Sequence, residues 1–178
     1  LEVMNDKDFK SLVNSETMPT LLPGCSFFLG IPYANAREFI KRGLPIAIAS
    51  DYNPGSAPNG NMNFISSLSC IKMKLIPEEV INATTINTAY AMGLQNNLGS
   101  ICVGKKANIF ITKKIPSYNY LYYNYNENLI DKIILKEGKT LAKYGLESGP
   151  QGYLPLRRFI SGQLKKSADI NLSLIHIS

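Results

Sequence analysis

Leu44-Pro45-Ile46-Ala47-Ile48-Ala49-Ser50-Asp51-Tyr52-Asn53-Pro54-Gly55-Ser56 is the stretch whose reading decides the fold. Its first half is a nearly continuous apolar run of strand length, stopped by a carboxylate and followed by turn formers. A run without polar alternation suits a parallel strand covered on both faces. Just upstream, residues 34–42 (ANAREFIKR) read as a helix, with Gly43 where a C-terminal cap belongs. Before that helix, Met18-Pro19-Thr20-Leu21-Leu22-Pro23-Gly24 reads as a short buried strand ending in a turn. Earlier still, Asn5 is placed to cap a helix over residues 5–14, with acids in its first turn and Phe9, Leu12 and Val13 at helical spacing. Helix, buried strand, helix, buried strand is the rhythm of βα units. The two strands are therefore expected to run parallel and to bring Gly24 and Asp51 to the same end.

Downstream, a helix is expected near residues 63–74, with Phe64, Leu68, Ile71 and Leu75 along one side. Pro77-Glu78-Glu79 opens another, which Val80, Ile81, Ala83, Thr84, Ala91 and Met92 continue until Gly93. From Leu98 the period changes to two. Strands are expected at residues 100–103, 108–112 and 129–135, the first two joined by a turn at Gly104-Lys105-Lys106. The chain thus passes from α/β to a small all-β piece at about residue 98. Tyr118, Tyr120, Tyr122, Tyr123 and Tyr125 form an aromatic cluster, read as cover for a sheet edge or a subunit contact. A base-stacking surface is the sharper alternative, but no basic groove accompanies it.

The length of 178 residues suits one domain or slightly more, and 45% apolar against 18% charged residues excludes wholesale disorder. No stretch approaches the roughly 18 apolar residues of a membrane span. The start at Leu1-Glu2-Val3 carries neither an initiator Met nor a secretory pattern, which points to a start inside a longer polypeptide. Cys25, Cys70 and Cys102 are too scattered for a disulfide framework or a thiolate metal site, in keeping with a reduced, cytoplasmic compartment. Most of the net charge of +6 lies in residues 138–178, where six Lys and Arg face two Asp and Glu. No basic stripe is interleaved with aromatics, so a nucleic-acid role is not expected. The single histidine, His176, sits in the terminal Leu172-Ser173-Leu174-Ile175-His176-Ile177-Ser178 and cannot build a triad or a His-rich metal site.

Asp51 is the position where a buried strand meets a charge. In βα folds, the loops at the carboxyl ends of parallel strands hold the chemistry. Two readings of Asp51 stay open at this level: a metal-ligating or proton-accepting carboxylate, or a turn-stabilising Asp in Asp-x-Asn-Pro-Gly. Asn53, Gly55 and Ser56 add an amide, a permissive backbone and a hydroxyl, suited to gripping a small polar ligand.

Three segments resemble the imidazolonepropionases of the amidohydrolase superfamily: LLPGCSFFL at residues 21–29, AIASDYNPGS at 47–56 and PEEVINATTIN at 77–87. LGSICVGKKANIFIT at 98–112 resembles the superfamily's closing β-sandwich motif, with Asn108 where Asp is usual. The resemblance covers about residues 1–137. It implies the C-terminal part of a (β/α)8 barrel at 1–97 and strands of a small β-sandwich at 98–137; it does not extend to 138–178, which is expected to be an unrelated or disordered tail, an artefact of the sequence. It also implies a fragment of a metal-dependent hydrolase of histidine degradation, inactive on its own, that opens 4-imidazolone-5-propanoate to N-formimidoyl-L-glutamate. Asp51 matches the metal-ligand aspartate and would handle the proton, while Asn53, Gly55 and Ser56 match substrate-site positions. The cofactor implied is one divalent metal, zinc or iron, with its histidine ligands outside this chain. The partners implied are a small-molecule substrate, no nucleic acid, no membrane, and a homodimer as a candidate assembly of the full-length enzyme.

Two further stretches stand apart. Residues 140–171, with Gly152-Tyr153-Leu154-Pro155-Leu156-Arg157, weakly resemble a pyridoxal-phosphate aminotransferase segment, and 172–178 resemble adaptor-encoded sequence. Two other functions are weighed against the leading one. One is a different superfamily member, such as a cytosine deaminase or dihydroorotase relative. The other is a non-catalytic partial barrel, against which the open sheet edge speaks.

Overall fold

The computed structural model describes residues 1–125, 127–135 and 139–141. Helix α1 (Asp6–Val13) begins as its sequence requires. Asn5 Oδ1 accepts from the backbone N–H groups of Lys7 and Asp8, and Asn5 N in turn donates to Asp8 Oδ2. Strand β1 (Thr20–Leu21) follows. Where a turn was expected after it, Pro23 instead takes the first position of helix α2 (Pro23–Leu29), closed by Gly30 at φ 67°. Proline there loses nothing, because a first-turn N–H has no intrahelical partner. Helix α3 (Ala36–Lys41) is capped by Asn35, and Gly43 at φ 71° ends it.

Strand β2 (Ala47–Ile48) pairs parallel with β1, Thr20 opposite Ala47 and Leu21 opposite Ile48. Ala47 N donates to Pro19 O at 2.8 Å and Ala49 N to Leu21 O at 3.1 Å. The expected parallel βα arrangement is present, and the chain leaves both strands at one end. Phe39, Leu21, Ile46, Ile48, Ile65 and Val80 are almost wholly buried around this sheet. A buried aliphatic or aromatic side chain contributes about 1.5–3 kcal/mol, so these six make up much of the core's stabilisation.

Helix α4 (Met62–Ile71) is turned from the expected face. Ile65 and Leu68 are buried, Phe64 is half-buried and Ile71 is 51% exposed. Ser66, Ser67 and Ser69 are buried with it, and their hydroxyls donate one turn back to Met62 O, Asn63 O and Ile65 O. Those bonds let small polar residues occupy a packed face without an unsatisfied group.

The helix expected from Pro77 to Gly93 is two helices, α5 (Pro77–Thr84) and α6 (Ile86–Ala91), broken at Thr85 with φ −119° and ψ −89°. Thr84, Thr85 and Ile86 are consecutive β-branched residues. The Thr84 and Thr85 hydroxyls donate to Val80 O and Ile81 O and so compete with the helical ladder. The break sets α6 against the outer edge of β2, where Asn87 Nδ2 donates to Ile46 O at 2.8 Å.

Beyond Leu98 one expected strand is absent. Residues 100–103 form an exposed loop, with Ile101 at 69% exposure, between Gly99 at φ 86° and Gly104 at φ 90°. Lys105 Nζ closes it by donating to Leu98 O and Ser100 Oγ. Strand β3 (Ile109–Thr112) does form. Helix α7 (Tyr120–Tyr123) packs on α4, with Tyr122 buried and the Tyr118 hydroxyl donating to the Glu78 carboxylate. Of the tyrosine cluster, Tyr120 and Tyr122 therefore pack against the core beside α4 and not on a sheet edge, while Tyr118, Tyr123 and Tyr125 are exposed. Strands β4 (Ile130–Leu135) and β5 (Lys139–Leu141) complete a three-stranded antiparallel sheet in the order β3-β4-β5. Residues 139–141 were expected to open an unrelated tail, yet they pair with β4, Ile133 opposite Leu141. The resemblances assigned to residues 142–178, and His176, lie outside the described residues. Among the described residues no helix is long and apolar enough to cross a membrane.

Replacing Asn87 by Ala leaves the Ile46 carbonyl unpaired beside a core strand. The expected loss is about 1–3 kcal/mol, against no more than about 0.5 kcal/mol for Asn96→Ala on the exposed α6–β3 connection. Urea midpoints of the two variants check this.

Candidate active site

The chain leaves β2 through Ala49 and Ser50 and turns at Asp51, whose φ of 53° places it in the left-handed region. Aspartate is among the few non-glycine residues that visit this region routinely, because its short polar side chain bonds locally. The loop then folds on itself. Asn53 and Ala57 exchange backbone hydrogen bonds, Asn53 N to Ala57 O at 3.1 Å and Ala57 N to Asn53 O at 3.3 Å. Ala57 is 2% exposed and anchors the far side.

Inside this ring the expected site residues meet. Asn53 Oδ1 accepts from Gly55 N at 2.8 Å and Ser56 N at 2.9 Å. Asn53 Nδ2 donates to the Asp51 carbonyl at 2.7 Å and to Ser56 Oγ at 2.6 Å. Ser56 Oγ in turn donates to Asp51 Oδ2 at 2.7 Å. Asp51, Asn53 and Ser56 are half-buried, and Gly55 is exposed at the tip. All four expected residues thus share one loop, with the carboxylate at its base.

The loop sits on the start of α2, where β1 ends. A Cβ on Gly24 would lie 3.2 Å from Ser50 O and 2.6 Å from Ile65 Cδ1, so glycine permits the close approach. The next residue, Cys25, interacts with Asp51 and Ser56. Desolvation first, and then the negative charge of Asp51, push its thiol above the ordinary cysteine range. Reading the sequence missed Cys25. The available signal was its place just after β1, a strand expected to end beside Asp51.

Among the described residues, no three His, Cys, Asp or Glu side chains gather into a metal site. A catalytic zinc takes about three protein ligands and an open position. The donors present, one carboxylate with a hydroxyl and a thiol beside it, fit one corner of such a site.

A parallel strand pair with a carboxylate loop at its carboxyl end is the arrangement in which βα folds carry their functional loops. The Amidohydrolase family model matches residues 12–141, and the chain belongs to that family. Its curated relatives include imidazolonepropionases. That of Flavobacterium johnsoniae is 58% identical over 135 residues, covering 76% of this chain and 33% of the relative. That of Christiangramia forsetii is 56% identical over 141 residues, covering 79% and 34%. The chain spans about a third of the length of these relatives. Among solved structures, E. coli guanine deaminase has a TM-score of 0.66 at 14% identity, over 79% of this chain and 37% of that one. A zinc-bound adenosine deaminase from Xanthomonas campestris has a TM-score of 0.68 at 17% identity, over 92% and 41%. At such identities the likeness is one of fold, and the fold is that of the TIM-barrel amidohydrolases.

Asp51→Asn removes the charge facing Cys25 while leaving its burial. The thiol is then expected to titrate lower, and at pH 8 Cys25 to react faster with iodoacetamide than in the parent chain. Peptide-resolved mass spectrometry separates it from exposed Cys102. A second expectation follows from the incomplete donor set: after dialysis the 178-residue chain retains no stoichiometric zinc or iron by elemental analysis.

Proposed function

We propose that this chain is part of an imidazolonepropionase, a hydrolase that opens the ring of 4-imidazolone-5-propanoate to give N-formimidoyl-L-glutamate in histidine degradation. The observation that carries the reading is the 58% identity to such an enzyme over 135 residues. The loop at the end of β2 supports it by holding a half-buried carboxylate at the carboxyl end of a parallel strand pair. In this reading residues 1–97 are barrel units and the β3-β4-β5 sheet is part of a small β-sandwich.

Asp51 is read as one ligand of a divalent metal, zinc or iron, whose other ligands lie outside this chain. Bound there, the metal supplies Lewis-acid chemistry at the ring carbonyl and an acidified water. The chain's own contribution is narrower. The Asp51 carboxylate takes a proton during ring opening. Gly55, exposed at the loop tip, lets substrate approach the backbone without a side chain in the way.

The complete protein carrying this sequence is expected to consume imidazolone propanoate, followed by loss of the ring's ultraviolet absorbance. Absence of turnover, with metal loaded, overturns the reading. Asp51→Asn is expected to lower turnover by on the order of 10²–10⁴, the range for a group that handles the proton in the transition state.

A further inference from the structure

Gly99, in the connection between α6 and β3, approaches its neighbours more closely than a side chain would allow. A Cβ there would fall 2.6 Å from Ala89 Cβ, 3.0 Å from Ile86 Cα and 3.1 Å from Thr85 O. All three atoms belong to α6 or to the break before it, and none is the end of a flexible side chain. The connection is pinned from its own side as well. Leu98 is 3% exposed and packs with Ala89 and Leu94. Leu98 N donates to Leu94 O at 2.9 Å, and Lys106 N donates to Asn97 O at 2.9 Å. Helix α6 in turn reaches the strand that ends at Asp51. Asn87 Nδ2 donates to Ile46 O at 2.8 Å. Thr88 Oγ1, which donates to Ala83 O at 2.7 Å, lies 3.5 Å from Ile48 O.

We infer that Gly99 is a positioning residue for the Asp51 carboxylate: its bare backbone seats the connection against α6, and α6 sets the strand that carries Asp51. The inference rests on the function proposed above, which gives that carboxylate its role. Carbon atoms pack at about 3.5–4.0 Å, so a Cβ at Gly99 drives α6 back by about 1 Å. Close-packed interiors transmit such a displacement instead of absorbing it. Asn87 moves with the helix, and its bond to Ile46 O carries the shift into β2. A misplacement of about 1 Å made far from the chemistry is enough to cost about 10²-fold in rate. Gly104 supplies the matching control. Its φ of 90° is close to the 86° of Gly99, yet a Cβ there meets nothing within 4 Å. The two glycines separate the cost of a left-handed backbone from the cost of the contact.

The test compares Gly99→Ala, Gly104→Ala and the parent in the complete protein with imidazolone propanoate. Gly99→Ala is expected to lower kcat by about 10- to 100-fold. KM stays within about twofold, because the contact acts through Asp51 and not on bound substrate. Gly104→Ala stays within about twofold of the parent in both constants. Equal losses of kcat in the two variants, or a rise in KM with kcat preserved, overturn the inference. A second readout needs no turnover. In the 15N-labelled 178-residue chain, Gly99→Ala moves the backbone amide resonances of Ala47 to Asp51, and Gly104→Ala leaves them in place. Changes confined to residues 98–106 overturn the inference. Should Gly99→Ala fail to fold, both comparisons are made in an Ala89→Gly background. That change removes the shortest contact and keeps those to Ile86 Cα and Thr85 O, and the same outcomes decide. If the parent enzyme fails to consume imidazolone propanoate, the proposed function falls by itself and the resonance shifts alone decide whether Gly99 sets the strand.

Discussion

The side-chain amide of Asn53 ties together everything at the working end of this molecule. Its oxygen gathers two backbone N–H groups and its nitrogen holds a carbonyl and a hydroxyl, so one residue closes the loop and aims its contents. The constraint is needed because Asp51 has positive φ, a conformation that costs an L-residue roughly 1–2 kcal/mol. Local hydrogen bonds offset that cost and keep the carboxylate at the mouth of the strand pair. A left-handed residue followed by an Asx-type turn reverses the chain within a few positions. The carboxylate thus stays beside the sheet instead of being carried away on a long excursion.

The loop is as dependent on what lies beneath it. Gly24 at the start of α2 leaves space for Ser50, and Ala57 packs next to it, so the β2 loop rests on the beginning of the helix that follows β1. On the opposite edge of β2, α6 supplies Asn87 to a strand carbonyl that would otherwise be unpaired. That contact exists only because the helix breaks at Thr85 and restarts in a new direction. A two-residue strand is too short to be stable alone. Here it is held by a parallel partner on one side, a side-chain donor on the other, and buried aliphatic side chains above and below.

Much of this was legible in the residues. The nearly continuous apolar run ending at Asp51 implied a covered parallel strand, Asn5 announced a helix start, and Gly43 announced an end. These features are written in local chemistry: capping, φ preference and hydrophobic pattern each act over a few residues. Alternation misled at residues 100–103, where Ile101 and Val103 look like a strand face but are exposed. Periodicity reports what a segment is able to bury, and a strand also needs an edge to pair with; two left-handed glycines turn this segment away from one. The face of α4 was misjudged for a related reason. Buried serines satisfy themselves one turn back, so polarity did not mark the solvent side.

The sequence by itself determined the βα rhythm, the carboxylate at the end of a buried strand, and the loop that follows it. Only the tertiary structure decided what each loop side chain does. Asn53 and Ser56 turn inward because the loop closes around them, and closure depends on Ala57 and Gly24, which are distant in sequence from one another. Cys25 joins Asp51 for the same reason: parallel pairing brings the ends of two strands, 27 residues apart in the chain, to one place. Composition and spacing carry no record of which hydroxyl proton points where, since a hydrogen-bond direction is set by all the partners a fold assembles at once.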